Sequence, residues 1–176
     1  MNPHATPGRE NGSSPSDPAV PARISVIGAG DASPEELTIA ESLGRALGAQ
    51  GAVVITGGLG GVMEAASRGC VEAGGVTIGV LPGSDPASAN PWVTIPLATG
   101  MGETRNALVV RYGEAVVAVG GGWGTLSEIA FARKMGRKVA LLGDPPCELP
   151  MPRLQSGEEG ARWALEVVAK VRGEDP

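Results

Sequence analysis

The stretch VVAVGGGWGTLSEIAFA, residues 116–132, passes from an apolar run to a helical pattern through four glycines within five positions. A short, unbroken Val/Ala run is the signature of a strand buried on both faces, as in a parallel sheet. The periodic pattern that opens at Thr125 marks a crossover helix leaving that strand. Working outward, the same arrangement recurs. Residues 24–28 read as a strand running into GAGDAS, and residues 53–56 as a strand running into GGLGGVMEAAS.

The punctuation between these units is legible. Ser33-Pro34-Glu35-Glu36 has an N-cap, a proline at the first helical position and a capping-box glutamate. Leu37, Ala40, Leu43 and Leu47 follow at helical spacing, with Gly48 and Gly51 expected to end the helix. The second glycine loop opens a helix over about 61–73. Residues 76–81 form a third strand, the turn-rich PGSDPASANP follows, and 92–95 reads as a short strand. A loop and a helix occupy ATGMGETRNALVVRYG, and after the helix ending near Met135 comes a last strand over 138–142. The exit GDPPCELPMPRLQ is irregular. Ser156 to Glu159 again has capping-box spacing, and Ala161, Ala164, Leu165 and Val168 line one face of a closing helix.

Alternating strands and helices specify an α/β, Rossmann-like, doubly wound open parallel sheet in a single domain. The expected organisation is a disordered tail over 1–21, rich in Pro, Ser, Gly and Asn, and a nucleotide-binding domain over 22–176. Aromatic residues are only 3% against 42% hydrophobic, so the core must be aliphatic. A net charge of −5 opposes a general nucleic-acid surface, which needs a basic stripe. Cys70, Cys147 and the single His4 match no metal or redox spacing, so no metal and no resident cofactor are expected. No apolar run is long enough to span a bilayer and no signal-type segment is seen, which makes the cytoplasm the expected location and a membrane partner unexpected.

Three glycine-loop chemistries can be tested by residue. None of the loops holds the lysine of a Walker A motif. Gly28-Ala29-Gly30 is followed by Ser33 where a dinucleotide fingerprint needs glycine, and the second strand ends in Thr56-Gly57 rather than an acid. Lys134, Lys138 and Lys170 all lie away from the loops, which disfavours a pyridoxal Schiff base. What remains is an anion seat, where glycines let free amides approach a phosphate. Its candidates are Gly28, then Gly57, Gly58, Gly60 and Gly61, then Gly121, Gly122, Trp123, Gly124 and Thr125.

Taken together, TGGLGGVMEAAS, TGMGETRN and GGGWGTLSE resemble the LOG-like family, formerly called lysine decarboxylase-like, over about residues 24–142. The family signature G-G-x-G-T-x-x-E stands here as Gly121 to Glu128. The wording is most similar to the branch that includes molybdenum-cofactor carrier proteins. The resemblance implies Arg105 and Glu128 as a catalytic pair, Asn106 as a ligand contact, and a homodimer or larger homo-oligomer. It implies phosphoribohydrolase activity on nucleoside 5′-monophosphates or, alternatively, carriage of molybdenum cofactor or a related phosphorylated ligand. The hydrolases usually have proline where Gly120 stands, and a Met-His-x-Arg-Lys element where this chain has Met101 to Asn106.

Several residues admit two readings. Glu128 is either ligand-facing or the glutamate of a Thr125–Glu128 capping box, as expected for Glu36 and Glu159. Arg105 either grips an anion or pairs with Glu103 or Glu114 on a solvated face. Trp123 is a stacking platform for a base or a cover over its loop. Leu108, Val109 and Val110 suit a dimer interface or deep burial in the monomer.

Overall fold

The computed structural model describes residues 20–145 and 147–173. The sheet order is β4-β3-β2-β1-β5-β6, and every neighbouring pair is parallel. The strands are β1 (Arg23–Gly28), β2 (Val53–Thr56), β3 (Val76–Leu81), β4 (Ile95–Ala98), β5 (Ala115–Val119) and β6 (Lys138–Leu142). The helices are α1 (Pro34–Ala49), α2 (Val62–Glu72), α3 (Asn106–Tyr112), α4 (Trp123–Lys134) and α5 (Gly157–Arg172). Parallel strands need crossovers, and these put α1, α2 and α5 on one face and α3 and α4 on the other. This is the α/β, Rossmann-like single domain expected. The expected tail over 1–21 falls almost wholly outside the described residues. Of its last two residues, Val20 and Pro21 each offer a carbonyl to the Arg172 guanidinium.

Two aliphatic cores flank the sheet. Leu43, Leu47, Val62 and Val168 pack on one face against Ile24, Val26 and Val117. Val109, Val110 and Ile129 pack on the other against Ile27, Ile55 and Val116. Val109 and Val110 are therefore core residues of the chain itself, with Leu108 packed beside them, so burial in the monomer accounts for this apolar run.

Four local expectations need correction. Residues 92–94 do not pair as strand, because the Thr77 side chain takes over their hydrogen bonds. Its hydroxyl donates to the Trp92 carbonyl at 2.7 Å and accepts from the Thr94 amide at 2.9 Å, so the ladder starts only at Ile95. Gly48 does not end α1; it is buried inside the helix against Cys70, and Gly51, at φ +71°, makes the turn that follows. The Ser33–Glu36 capping box is complete, but Glu159 makes only half of one: its carboxylate accepts from the Gln155 amide, one residue before the cap. Finally, α4 begins at Trp123 with Gly122 as N-cap, so Glu128 lies well inside the helix and caps nothing.

The α1–α2 packing depends on missing side chains. A Cβ at Gly44 would strike the backbone of Ala66, and one at Gly69 the backbone of Glu41. The contact is sealed at its solvent edge by Glu41, which accepts from Arg45 at 3.0 Å and from Arg68 at 3.1 Å. A backbone cannot rotate away as a side chain can, so Gly44→Ala should cost about 1–3 kcal/mol of stability. Urea unfolding checks this; an unchanged midpoint would mean the helices separate without penalty.

Candidate functional site

β1 lies inside the sheet, and the chain winds away from it toward β4 on one side and toward β5 and β6 on the other. Crossovers on the two sides part above the carboxyl ends of β1 and β5, and such switch points are where open α/β sheets hold ligands. A cavity of about 350 Å³ lies there. Its floor is the end of β1 and the turn after it, including Gly28. Gly57, Leu59 and Met63 form one wall. Glu103, Arg105 and Asn106 arrive from the loop before α3, and Gly122, Gly124, Thr125 and Glu128 from the start of α4.

Eight of the thirteen expected site residues thus meet in one cavity: Gly28, Gly57, Arg105, Asn106, Gly122, Gly124, Thr125 and Glu128. The other five do not line it. Gly58, at φ +76°, turns the chain against Gly79 and Leu81. Gly60 and Gly61 lie near the Gly30 carbonyl, and the Val62 amide that follows is already bonded to the Ala29 carbonyl at 3.0 Å. Gly121, at φ +117°, packs against the Thr125 side chain, and Trp123 is 87% exposed. Glu103 and Met63 were missed. In sequence Glu103 showed only as a charge close to Arg105, and Met63 only as one apolar residue of a helix.

Arg105 is 5% exposed, a position a cation takes only when partnered. Its Nη1 donates to Asn106 Oδ1 at 2.8 Å, and its Nη2 reaches the Gly57 carbonyl at 3.3 Å. Glu128 Oε1 stands 3.9 Å from Nη1. The arginine therefore pairs with Glu128; Glu114 is engaged by Arg172 at 2.7 Å. A Cβ at Gly57 would sit 2.7 Å from both terminal nitrogens, so only glycine lets the guanidinium lie on this backbone. Asn106 is consumed by positioning. Its Oδ1 holds Arg105, and its Nδ2 donates to Ser127 Oγ at 3.2 Å, which in turn donates to the Gly124 carbonyl at 2.6 Å. Arg105 Nε is buried with no partner.

The start of α4 is equally unsatisfied. Its first intrahelical bond to the loop comes from the Leu126 amide, which reaches Gly122 O at 2.9 Å, and no side chain caps the helix. The amides of Trp123, Gly124 and Thr125 are thus open donors at the positive end of the helix dipole, an anion-binding arrangement. Glu128 responds to its burial. Desolvation pushes its carboxyl up to about 8, with Arg105 pulling down and Glu103 adding to the rise. Burial also lowers the Arg105 value, against the opposing pull of Glu128 and Glu103. Among the described residues no three His, Cys, Asp or Glu side chains converge on a metal position.

This gives a pH signature. The folded chain holds a proton on Glu128 that the unfolded chain, near the ordinary 4.5, has released. The stability due to that proton is full below the unfolded value and is lost as pH rises toward the folded one. Glu128→Gln mimics the protonated form at every pH. Relative to that variant, the parent should lose on the order of 1–3 kcal/mol between about pH 5 and pH 8. Urea titrations of both proteins across this range test it; a constant difference would show that Glu128 ionises like a solvated carboxylate.

Comparison with known proteins agrees with this architecture. The model of the SLOG cluster4 family matches residues 21–170. A protein of Archaeoglobus fulgidus described as uncharacterized is 39% identical over 148 residues, 84% of this chain and 97% of the relative. The molybdenum cofactor binding protein from Rippkaea orientalis is 33% identical with a TM-score of 0.80, covering 86% of this chain and 99% of that one. The Moco carrier protein from Chlamydomonas reinhardtii is likewise 33% identical, with a TM-score of 0.76 over the same shares of the two chains. The family match spans the glycine loops, the Arg105 turn and the sheet that joins them, and the LOG-like resemblance holds: the chain belongs to the SLOG cluster4 family.

Proposed function

We propose that this protein binds a phosphorylated small molecule in the β1/β5 cavity and carries it without converting it, the cargo being molybdenum cofactor or a related phosphorylated pterin. The observation that carries the reading is the meeting on one cavity of the uncapped start of α4, whose Gly124 and Thr125 line it, and the buried Arg105 guanidinium on the facing wall, with its Nε short of a partner. Buried donors without partners are costly, and a phosphate oxygen removes the deficit. A cavity of about 350 Å³ is within the range of small-ligand sites. The choice of cargo rests on the two 33%-identical structures, which are named for that cofactor.

Hydrolysis of nucleoside 5′-monophosphates is the second reading, favoured by the Arg105–Glu128 pair on the cavity wall. There the bond between the sugar C1′ and the base nitrogen would break, with its electron pair leaving on the base and water adding to C1′. The anomeric carbon becomes cationic on the way and needs an ionised carboxylate beside it. Glu128, its carboxyl pushed up to about 8 by burial, is mostly neutral at neutral pH, which favours a holding role over a catalytic one. The chain also lacks the histidine and lysine that the hydrolases carry around the arginine.

Two variants separate these readings. A Cβ at Gly122 meets nothing within 4 Å, so Gly122→Val should fold normally while its branched side chain narrows the phosphate seat. Titration with nucleoside monophosphates and pterin phosphates should show at least a ~10-fold loss of affinity, about 1.4 kcal/mol. Unchanged binding would place the seat elsewhere. Glu128→Gln should bind nearly as well as the parent, and chromatography should find no released base from either protein. If base does appear, at a rate that rises toward pH 8 and falls at least ~100-fold in Glu128→Gln, the protein is a hydrolase.

A further inference from the structure

Six of the described arginines are neutralised where they stand. Arg45 and Arg68 share Glu41, Arg105 faces Glu128, Arg153 lies near Asp144, and Arg23 and Arg172 share Glu114. Seven other lysines and arginines form no ion pair among the described residues, and five of these seven belong to one place. Arg111 comes from the last turn of α3, Arg133 and Lys134 from the last turn of α4, and Arg137 and Lys138 stand where the chain enters β6.

These five are drawn together at the amino end of the β5–β6 pair. Ala115 lies beside Lys138 in the register, and Arg137 Nη2 donates to the Arg111 carbonyl at 2.9 Å, which ties the end of α3 to the turn after α4. Arg137 is half-buried, with its Nε buried and unpartnered, and the other four side chains are exposed. Helix dipoles account for part of this, since a cation is favourable in the last turn of a helix. They do not account for Arg137 and Lys138, nor for the missing counter-charges. Residues 104–113 and 129–143 contain no Asp or Glu. Glu114, which follows α3, is taken up by Arg172 at 2.7 Å and Arg23 at 3.6 Å.

We propose that this patch docks an acidic segment of a partner protein, a short stretch in which Asp and Glu side chains recur. Three of the five cations are arginines, whose planar donor forks match carboxylates. The charge of the whole chain favours a short occupant. It is −5 with the patch included, so the surface around the patch is more acidic still. A nucleic acid or an anionic bilayer extends past five cations onto that surface and is repelled, whereas a segment of a few residues ends within the patch. Residues 1–19 hold only Glu10 and Asp17 as acids, beside Arg9, so the chain's own amino-terminal segment is not such a stretch. The patch is also remote from the β1/β5 cavity. α4 starts at the cavity with Gly124 and reaches Lys134 roughly 15 Å further along its axis. A partner held there leaves the cavity open, so docking and ligand binding are compatible.

The test is titration of the full chain with a short labelled peptide of alternating Glu and Ser, followed by fluorescence anisotropy. A single-stranded oligonucleotide and vesicles containing phosphatidylserine are titrated beside it. The peptide should bind saturably and more weakly as salt rises. Lys134→Glu/Lys138→Glu should bind it at least ~10-fold more weakly, as reversal of docking charges does. Arg162→Glu/Lys170→Glu makes the same change of net charge on α5 and should bind like the parent. All four residues are exposed, so circular dichroism should report an unchanged fold. Absence of saturable binding, an equal loss in both variants, or tighter binding of the oligonucleotide or vesicles than of the peptide overturns the proposal. Should the patch variant fail to fold, hydrogen exchange of the parent decides. Amides in residues 111–113 and 133–138 should become more protected when the peptide is added, and protection confined to other segments counts against the patch.

Discussion

A parallel sheet wound in two directions from one strand leaves a gap where the crossovers part, and nothing in the fold can close it. In this protein that gap lies above β1 and β5, and each wall is a segment leaving the end of a strand. The groups that line it are therefore backbone turns and helix starts, whose amides have no partner inside their own element. Donors without partners in a crevice suit an anion seated on peptide dipoles rather than on lysines, which is the basis of the proposed phosphate seat. A chain with a net charge of −5 can hold a phosphate on such terms because the favourable field is local.

Burying one guanidinium in that gap sets much of the surrounding chemistry. Arg105 lies on bare backbone at Gly57, is oriented by Asn106, and faces Glu128 at 3.9 Å, beyond direct hydrogen-bond distance. A separation of this kind leaves each group short of a partner. The arginine retains a free Nε and the carboxyl is driven toward its neutral form. Asn106 and Ser127 then link the arginine to the first turn of α4, so the charged and dipolar parts of the site are held by one chain of hydrogen bonds. In the proposed phosphate-binding role, the neutral carboxyl would accept or donate a hydrogen bond without adding a second negative charge beside the ligand.

The economy of helices has an opposite consequence at the sheet edges. Beside β6, the Leu141 amide and carbonyl bond to residues 152 and 154, which cover that edge with the chain's own backbone. Beside β4 no such strap is present among the described residues, and all four residues of the strand are exposed. The chain keeps charge out of this region and places a proline within the strand, a combination that protects against strand addition while leaving an apolar face.

By itself the sequence determined the alternation of elements, the parallel sheet, the glycine-loop rim and the identities of Arg105 and Glu128, because these follow from local periodicity, capping and a recognisable signature. Ser33–Glu36 behaves as its spacing dictates, since a capping box is complete within four residues. Only the tertiary structure decided what depends on distant backbone. Thr77 displaced the start of β4 by binding residues 92 and 94, and Gly48 stayed helical because Cys70 of α2 packs against it. Glu128 keeps a capping reading beside the ligand-facing one until the helix start is located at Trp123, and Arg105 keeps the reading of a solvated charge until the turn before α3 is folded over Gly57. Four glycines and Trp123 of the loops fell outside the cavity for the same reason: a glycine-rich sequence shows that the backbone can approach closely, and only the fold shows what it approaches.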